Sequence, residues 1–259
     1  MKKQSQSYER ATGLNRSLSR GIDVLRAFRQ GVDLLGNSEI AERTELSKAT
    51  VSRLTQTLVT CGMLEHDFAA RAYRLAPPVL SLAHAMRLGS PILKIAAPKM
   101  RAVAEKRRVN VGLAAPDGDA MVYLESFRFN AKVSLRTVVA GQRVPIELTS
   151  LGRAYLSTLD SIGRKRVLDR VKGLRPGSWG AVSREVEAAM STLDRHGFCW
   201  ASWQPGVVAL ATPLQLSADQ TYALNISVAS NRAAERVARE LRNALLELKA
   251  EILAEARTY

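Results

Sequence analysis

The stretch "NSEIAERTELSKATVSRLTQTL", residues 37–58, decides the fold. Asn37 and Ser38 both suit a helix start, and Ile40 and Ala41 follow them. A second start lies at Ser47, after which Val51, Leu54 and Leu58 recur at spacings of 3 and 4. The pattern predicts two helices joined by a tight turn. Ala41, Glu45, Val51 and Leu54 fall at relative positions 5, 9, 15 and 18 of a helix-turn-helix. Position 5 is small where the helices cross. Positions 15 and 18 are apolar where the second helix meets the core. Position 9 is commonly glycine, which tolerates a left-handed turn, so Glu45 predicts slight strain there.

With the apolar stripe turned inward, the outward face of the second helix is Lys48, Ala49, Thr50, Ser52, Arg53 and Gln56, with Ser47 at its cap. Short side chains at a helix N-terminus let the backbone approach the floor of a DNA major groove. Thr50, Ser52 and Gln56 can bond base edges or phosphates, Arg53 can fork onto guanine or a phosphate, and Ala49 can meet a thymine methyl. The alternative meaning of such residues is a solvated helix face.

The flanks extend this unit. "SLSRGIDVLRAF", residues 17–28, predicts a helix capped by Ser17 or Ser19, with Ile22, Leu25 and Phe28 on its apolar face and Gly31 at its end. "CGMLEHDFAARAYRLAP", residues 61–77, predicts a hairpin: Met63 and Leu64, a turn at Asp67 to Ala70, and a return at Ala72 to Leu75. A hairpin after such a helix is a wing. Arg71 and Arg74 would meet the DNA backbone or minor groove, with Tyr73 and Leu75 packed inward. Residues 15–76 thus form one winged helix-turn-helix unit, preceded by a disordered basic arm over 1–14.

Pro77 and Pro78 suit the first turn of a linker helix over 77–90, with Val79, Leu82 or Ala83, and Met86 on one side. That side packs either on a second copy of the segment or on its own domain. Gly89 and Pro91 break the helix, and another runs from Ile92 to Arg107. Residues 91–259 then read as a mixed α+β domain. It opens with a hairpin around Asp117-Gly118 and a strand "KVSLRTV". The Gly-Pro loop of "GQRVPIELTSLGRAYLSTL" leads into a helix bearing Leu151, Tyr155 and Leu159. Helices over 161–172 and 182–196 follow, then strands in "FCWASW", "VVALATPL" and "YALNISVA". A last helix carries Val237, Leu241, Leu245, Leu248 and Ile252.

The chain has 259 residues, 38 Lys and Arg against 24 Asp and Glu, and a net charge of +14. Such a surplus suits a polyanionic partner. Thirteen of the basic and eight of the acidic residues precede residue 91, so the surplus is spread and does not locate a site. Cys61 and Cys199 are far apart and indicate neither a disulfide framework nor zinc. The three histidines have no ligand spacing, so no metal is expected. No cofactor loop, nucleophile elbow or zinc-protease pattern appears, so an enzyme is not expected. The N-terminus lacks the apolar segment of a signal peptide, and no run approaches a membrane span. A cytoplasmic protein follows.

Taken together these pieces resemble the IclR family of bacterial transcriptional regulators, over about residues 15–257. The resemblance rests on "SLSRGIDVLRAF", "EIAERTELSKATVSRLTQTLVTCGMLE", "YRLAPPVLSLA", "GQRVPIELTSLGRAYLSTL" and "GVVALATPLQ…YALNISVASNR". It implies a winged helix-turn-helix, a linker helix and a GAF-like effector-binding domain. It also implies operator DNA as partner, a small organic acid as effector, and a dimer or dimer of dimers that represses or activates a catabolic operon. The effector would shift the population between two arrangements of the DNA-binding helices. The alternatives are a protein that packages nucleic acid without sequence preference and an enzyme acting on the C-terminal ligand.

The family's pocket maps onto Thr149, Ser150, Leu151 and Gly152 at the helix start, Val208 and Ala209, and Ser227 and Ala229 on the last strand. "CWASWQPG" lacks the acidic residues usual before that glycine. Trp200 and Trp203 there suggest a bulkier, aromatic acid, balanced by Arg136 or Arg143. Core or subunit-surface positions are the alternative for both tryptophans.

Overall fold

The computed structural model describes residues 14–29, 31–129, 138–217 and 219–257. Residues 1–13 of the arm expected over 1–14, Arg136 and nearly all of the expected strand at 132–138 lie outside the described residues. The chain divides into two compact units, Met1–Arg87 and Leu88–Tyr259.

In the first unit, α1 spans Arg16–Arg26, α2 Asn37–Thr44 and α3 Lys48–Thr60. The cap of α1 is Asn15, whose side chain accepts from Leu18 N at 3.1 Å, rather than Ser17 or Ser19. α2 begins at Asn37 with Gly36 as its cap residue, and the Glu39 carboxylate accepts from Gly36 N at 2.8 Å. α2 ends at Glu45 with φ 57° and ψ 23°, the left-handed turn that the motif demands. Ser47 caps α3 by accepting from Thr50 N.

Val24, Ala27, Leu35, Ile40, Val51, Leu64 and Tyr73 form the core of this unit, with Leu25, Phe28, Leu54 and Leu58 packed on it. The apolar face of α1 is rotated from expectation: Gly21 and Val24 are buried, whereas Ile22 is 45% exposed. Thr55 is also fully buried on α3, where its hydroxyl donates to Val51 O and lies within reach of Asn37 Oδ1. β1 (Leu64–Asp67) and β2 (Ala72–Leu75) form the wing as an antiparallel hairpin, with Leu64 opposite Leu75. Leu35 and Tyr73 exchange backbone hydrogen bonds and anchor it. Ala72 and Tyr73 are buried, but Leu75 is exposed, contrary to its expected inward position.

α4 (Pro78–Gly89) carries no buried residue. Leu80, Leu82 and Met86 on it are all exposed.

The second unit is a six-stranded antiparallel sheet with helices on both faces. α5 (Pro91–Arg107) leads to β3 (Asn110–Asp117) and β4 (Ala120–Phe127), then β5 (Arg143–Pro145), a strand where a loop is expected. α6 (Ser150–Leu156), α7 (Ser161–Lys172) and α8 (Trp179–His196) follow. α6 stops before Leu159, and α8 starts three residues earlier than its apolar pattern suggests. β6 (Cys199–Ala201), β7 (Val207–Gln215), β8 (Thr221–Ala229) and α9 (Ala234–Ala256) complete the unit. The strand order is β5-β4-β3-β8-β7-β6.

Alternation along the strands separates two interiors. Val111, Leu113, Val208, Leu210, Leu214, Leu224 and Ile226 face α5 and α9, where Val237, Leu245, Leu248 and Ile252 meet them. The other face presents smaller residues, among them Ala114, Ala211 and Ala223, to α6, α7 and α8. That difference in side-chain size decides where a cavity can open.

Candidate functional site

Two surfaces bring the expected residues together, one in each unit. On α3, Lys48, Ala49, Arg53 and Gln56 are exposed and Thr50 and Ser52 are half-buried. Core packing by Val51 and Thr55 leaves this face outward. The Thr50 hydroxyl lies 2.9 Å from Ser47 Oγ, so both belong to the cap as well as to the surface. Arg53 stands free of the core at mid-helix. On the wing, Arg71 is exposed and holds a left-handed φ of 50°, which tightens the turn. Arg74 is exposed but forms an ion pair with Asp67. The Asp67 carboxyl is held below its usual range, chiefly by the Ala70 backbone N–H and secondarily by Arg74. Arg74 thus has a partner within the wing, which competes with the expected DNA contact.

In the second unit a cavity of about 470 Å³ opens on the small-residue face of the sheet. Of the residues expected there, Thr149, Ser150, Leu151, Ala209, Ser227 and Ala229 from the family pattern and Trp203 from this sequence line it. Three expected residues do not. Val208 precedes Ala209 on β7 and alternation sends it into the aliphatic core instead. Trp200 packs on that same far core, its ring 6.3 Å from Phe198. Gly152 faces Ile146: a Cβ there would stand 2.5 Å from the Ile146 carbonyl carbon and closer still to its Cα and oxygen. Glycine at 152 therefore serves close backbone packing.

The loop before α6, which forms part of the cavity wall, is held from several directions. Thr149 Oγ1 donates to Pro145 O at 2.8 Å and accepts from Gly152 N. Arg153, 4% exposed, donates from Nε to Glu147 O at 3.1 Å and from Nη2 to Glu185. Arg175 Nε donates to the buried Glu147 carboxylate at 2.9 Å. Cys199 sits fully buried below Ser150, and burial pushes its thiol up to about 12.

The cationic side of the cavity differs from expectation. Arg143 is held by Asp117 and Asp119 and does not line it. Arg108 and Arg128 do, beside Phe129, Trp203 and Gln204 at the rim. The floor is formed by Gly112, Tyr123, Val144, Leu151 and Asn225, all buried. Tyr123 and Asn225 are absent from the expected set. The signal for Asn225 is a lone amide between the apolar Leu224 and Ile226 in "YALNIS". Nothing local marks Tyr123, which is 102 residues away in the chain.

An exposed helix-turn-helix surface, with a ligand-sized cavity in a separate α+β unit, is the build of a DNA-binding regulator. Residues 17–67 match the IclR helix-turn-helix domain, and residues 84–253 match the bacterial transcriptional regulator IclR C-terminal domain. The HTH-type transcriptional regulator TsaQ1/TsaQ2 of Comamonas testosteroni is 33% identical over 202 residues, covering 76% of this chain and 71% of that one. A crystal structure of an IclR family transcriptional regulator from Brucella abortus superposes with a TM-score of 0.87 at 29% identity, covering 95% and 94% of the two chains. An IclR homolog from Microbacterium hydrocarbonoxydans, solved in complex with 4-hydroxybenzoate, has the same fold at a TM-score of 0.67 and 24% identity, covering 94% and 100%. The chain belongs to the IclR family of bacterial transcriptional regulators, and its relatives are named as regulators rather than enzymes.

Proposed function

We propose that this regulator controls a catabolic operon in the bacterial cytoplasm in response to an aromatic carboxylate held in the C-terminal cavity. The observation that carries this reading is the makeup of the cavity. Its volume lies within the range of small-molecule sites and gives room for a ring, more than a two- or three-carbon acid would fill. Leu151, Val144, Phe129 and Trp203 supply apolar and aromatic wall, and Arg108 and Arg128 supply positive charge for a carboxylate. The complex of the Microbacterium homolog with 4-hydroxybenzoate agrees with that chemistry.

On the DNA side, α3 lies in the major groove with Lys48, Ala49, Arg53 and Gln56 toward the bases, and Arg71 of the wing reaches the backbone. The half-buried Thr50 and Ser52 reach phosphate from the margin of that face. A second copy covers the exposed Leu80, Leu82 and Met86 of α4, giving the dimer that reads two half-sites. The domains are the winged helix-turn-helix over 15–76, the linker helix over 77–90 and the effector domain from 91 onward. The effector acts only through unequal affinity for the DNA-competent and DNA-incompetent states.

The test is a gel-shift titration of the full chain on DNA from upstream of its own gene, with and without each member of a panel of organic acids. The reading expects benzoate-type acids to shift the DNA affinity. If only short aliphatic acids such as pyruvate do so, it is wrong.

A further inference from the structure

The floor of the cavity holds a polar demand that its own walls leave unanswered. Asn225 is 4% exposed, and its Nδ2 donates to Tyr123 Oη at 3.4 Å. Its Oδ1 is the one buried side-chain nitrogen or oxygen among the described residues that has no hydrogen-bond partner. A buried amide oxygen without a donor is costly, and such atoms in folded proteins call for an explanation. Here the strand register supplies part of it. Asn225 lies opposite Gly112 across β3 and β8, and a Cβ at 112 would sit 2.5 Å from both Asn225 Oδ1 and Tyr123 Cε1. Glycine at 112 is what lets an amide from β8 and a phenol from β4 share the cavity floor.

The chemistry of the pair is specific. Burial raises the Tyr123 phenol above its ordinary value, so it keeps its proton and can donate. Asn225 offers an acceptor, and Tyr123 offers a donor once it has accepted from the amide. Turning the amide around exchanges the two roles and leaves one spare donor and one spare acceptor. A hydroxyl group is both in a single atom. A bare ring edge answers neither, and an ether oxygen can only accept.

We propose that Asn225 and Tyr123 read a hydroxyl on the effector, so that the acid recognised is a hydroxylated aromatic carboxylate. The hydroxyl donates to Asn225 Oδ1 and accepts from the Tyr123 phenol at the floor, while the carboxylate turns toward Arg108 and Arg128 at the rim. This rests on the cavity being an aromatic-acid site, as proposed above.

The experiment is calorimetric titration of the full chain with benzoate, its three hydroxy isomers and the matching methoxybenzoates, in the wild type, Asn225→Leu and Tyr123→Phe. At least one hydroxybenzoate is expected to bind roughly tenfold or more tighter than both benzoate and its methoxy counterpart. Each substitution should bring that ratio to within about twofold. Tyr123→Phe keeps the shape of the floor, so the test survives if Asn225→Leu fails to fold. The proposal is overturned if every hydroxy isomer binds no better than benzoate, or if the advantage persists unchanged in Tyr123→Phe. A parallel pair without a ring, 4-hydroxybutyrate against butyrate, separates the two claims. A hydroxyl preference confined to that pair sinks the aromatic reading and keeps the Asn225–Tyr123 role. Binding by neither pair overturns both.

Discussion

Gly152→Ala distinguishes a packing role from a ligand-binding role at the turn that begins α6. In an unconstrained helix the change would stabilise by about 1 kcal/mol, because alanine is the better helix former. Here the new methyl would lie 2.5 Å from the Ile146 carbonyl carbon and closer to Ile146 O and Cα. Carbon atoms pack at roughly 3.5–4.0 Å, so helix and loop must part by about 1 Å. The loop resists that movement. Ile146 is fully buried, and bonds from Thr149 to Pro145 O, from Arg153 to Glu147 O and from Arg175 to the Glu147 carboxylate pin the residues beside it. Overpacking of this kind costs about 1–3 kcal/mol, and more where the backbone itself is struck. The expected net loss is about 2–3 kcal/mol in the stability of the C-terminal unit. Urea unfolding of the full chain, followed by circular dichroism, measures it. Unchanged or increased stability would refute the packing argument. Unchanged stability together with lost effector affinity would return Gly152 to the cavity wall.

Three further outcomes can be measured directly. Glu45→Gly should raise the stability of the N-terminal unit by about 0.5–1 kcal/mol, since Glu45 holds φ 57° and glycine does so without the Cβ penalty; a thermal melt in which the midpoint falls would contradict this. Arg53→Ala should weaken operator binding by about 1–3 kcal/mol, and an unchanged gel-shift midpoint would remove Arg53 from the reading face. In the native protein Cys61, which is exposed, should react with a thiol reagent within minutes, whereas Cys199, fully buried with its thiol pushed up to about 12, should react only on unfolding; two fast thiols in the native state would show the C-terminal interior to be looser than described.

What could be read from the chain without coordinates tracks how local each determinant is. The helix-turn-helix is encoded within 22 residues. Ser47 caps its own helix, Val51 and Leu54 lie one turn apart, and the left-handed turn falls at Glu45 as the motif spacing requires. The face of α1 is a harder case. The sets 21, 24 and 27 and 22, 25 and 28 both have helical spacing, and only the position of α3 decides that Val24 goes in and Ile22 stays out. Leu75 has the same strand parity as the buried Tyr73, so alternation alone sends it inward, yet it is exposed. In the cavity, Thr149, Ser150 and Leu151 follow from the family pattern. Val208 and Ala209 could not both face it, since neighbours on a strand point to opposite sides. Tyr123 and Asn225 meet only through the order β4-β3-β8, which pairs segments about a hundred residues apart. No periodicity in one strand reports on that.

The two faces of this sheet show why an effector site can open beside a well-packed core. On β3, β7 and β8 one parity carries Leu113, Leu210, Leu224 and Ile226 against α5 and α9, and this interior closes. The opposite parity carries Gly112, Ala209, Asn225, Ser227 and Ala229, whose small volumes leave the space that α6 only partly fills. Apolar burial on the first face can offset an uncompensated polar atom on the second, so Asn225 can persist where a core selected only for stability would place an apolar residue. A buried amide that costs stability is expected where binding, rather than folding, uses it. Replacing Asn225 by leucine should therefore remove the uncompensated oxygen and erase the preference for a hydroxyl, at the cost of the hydrogen bond to Tyr123.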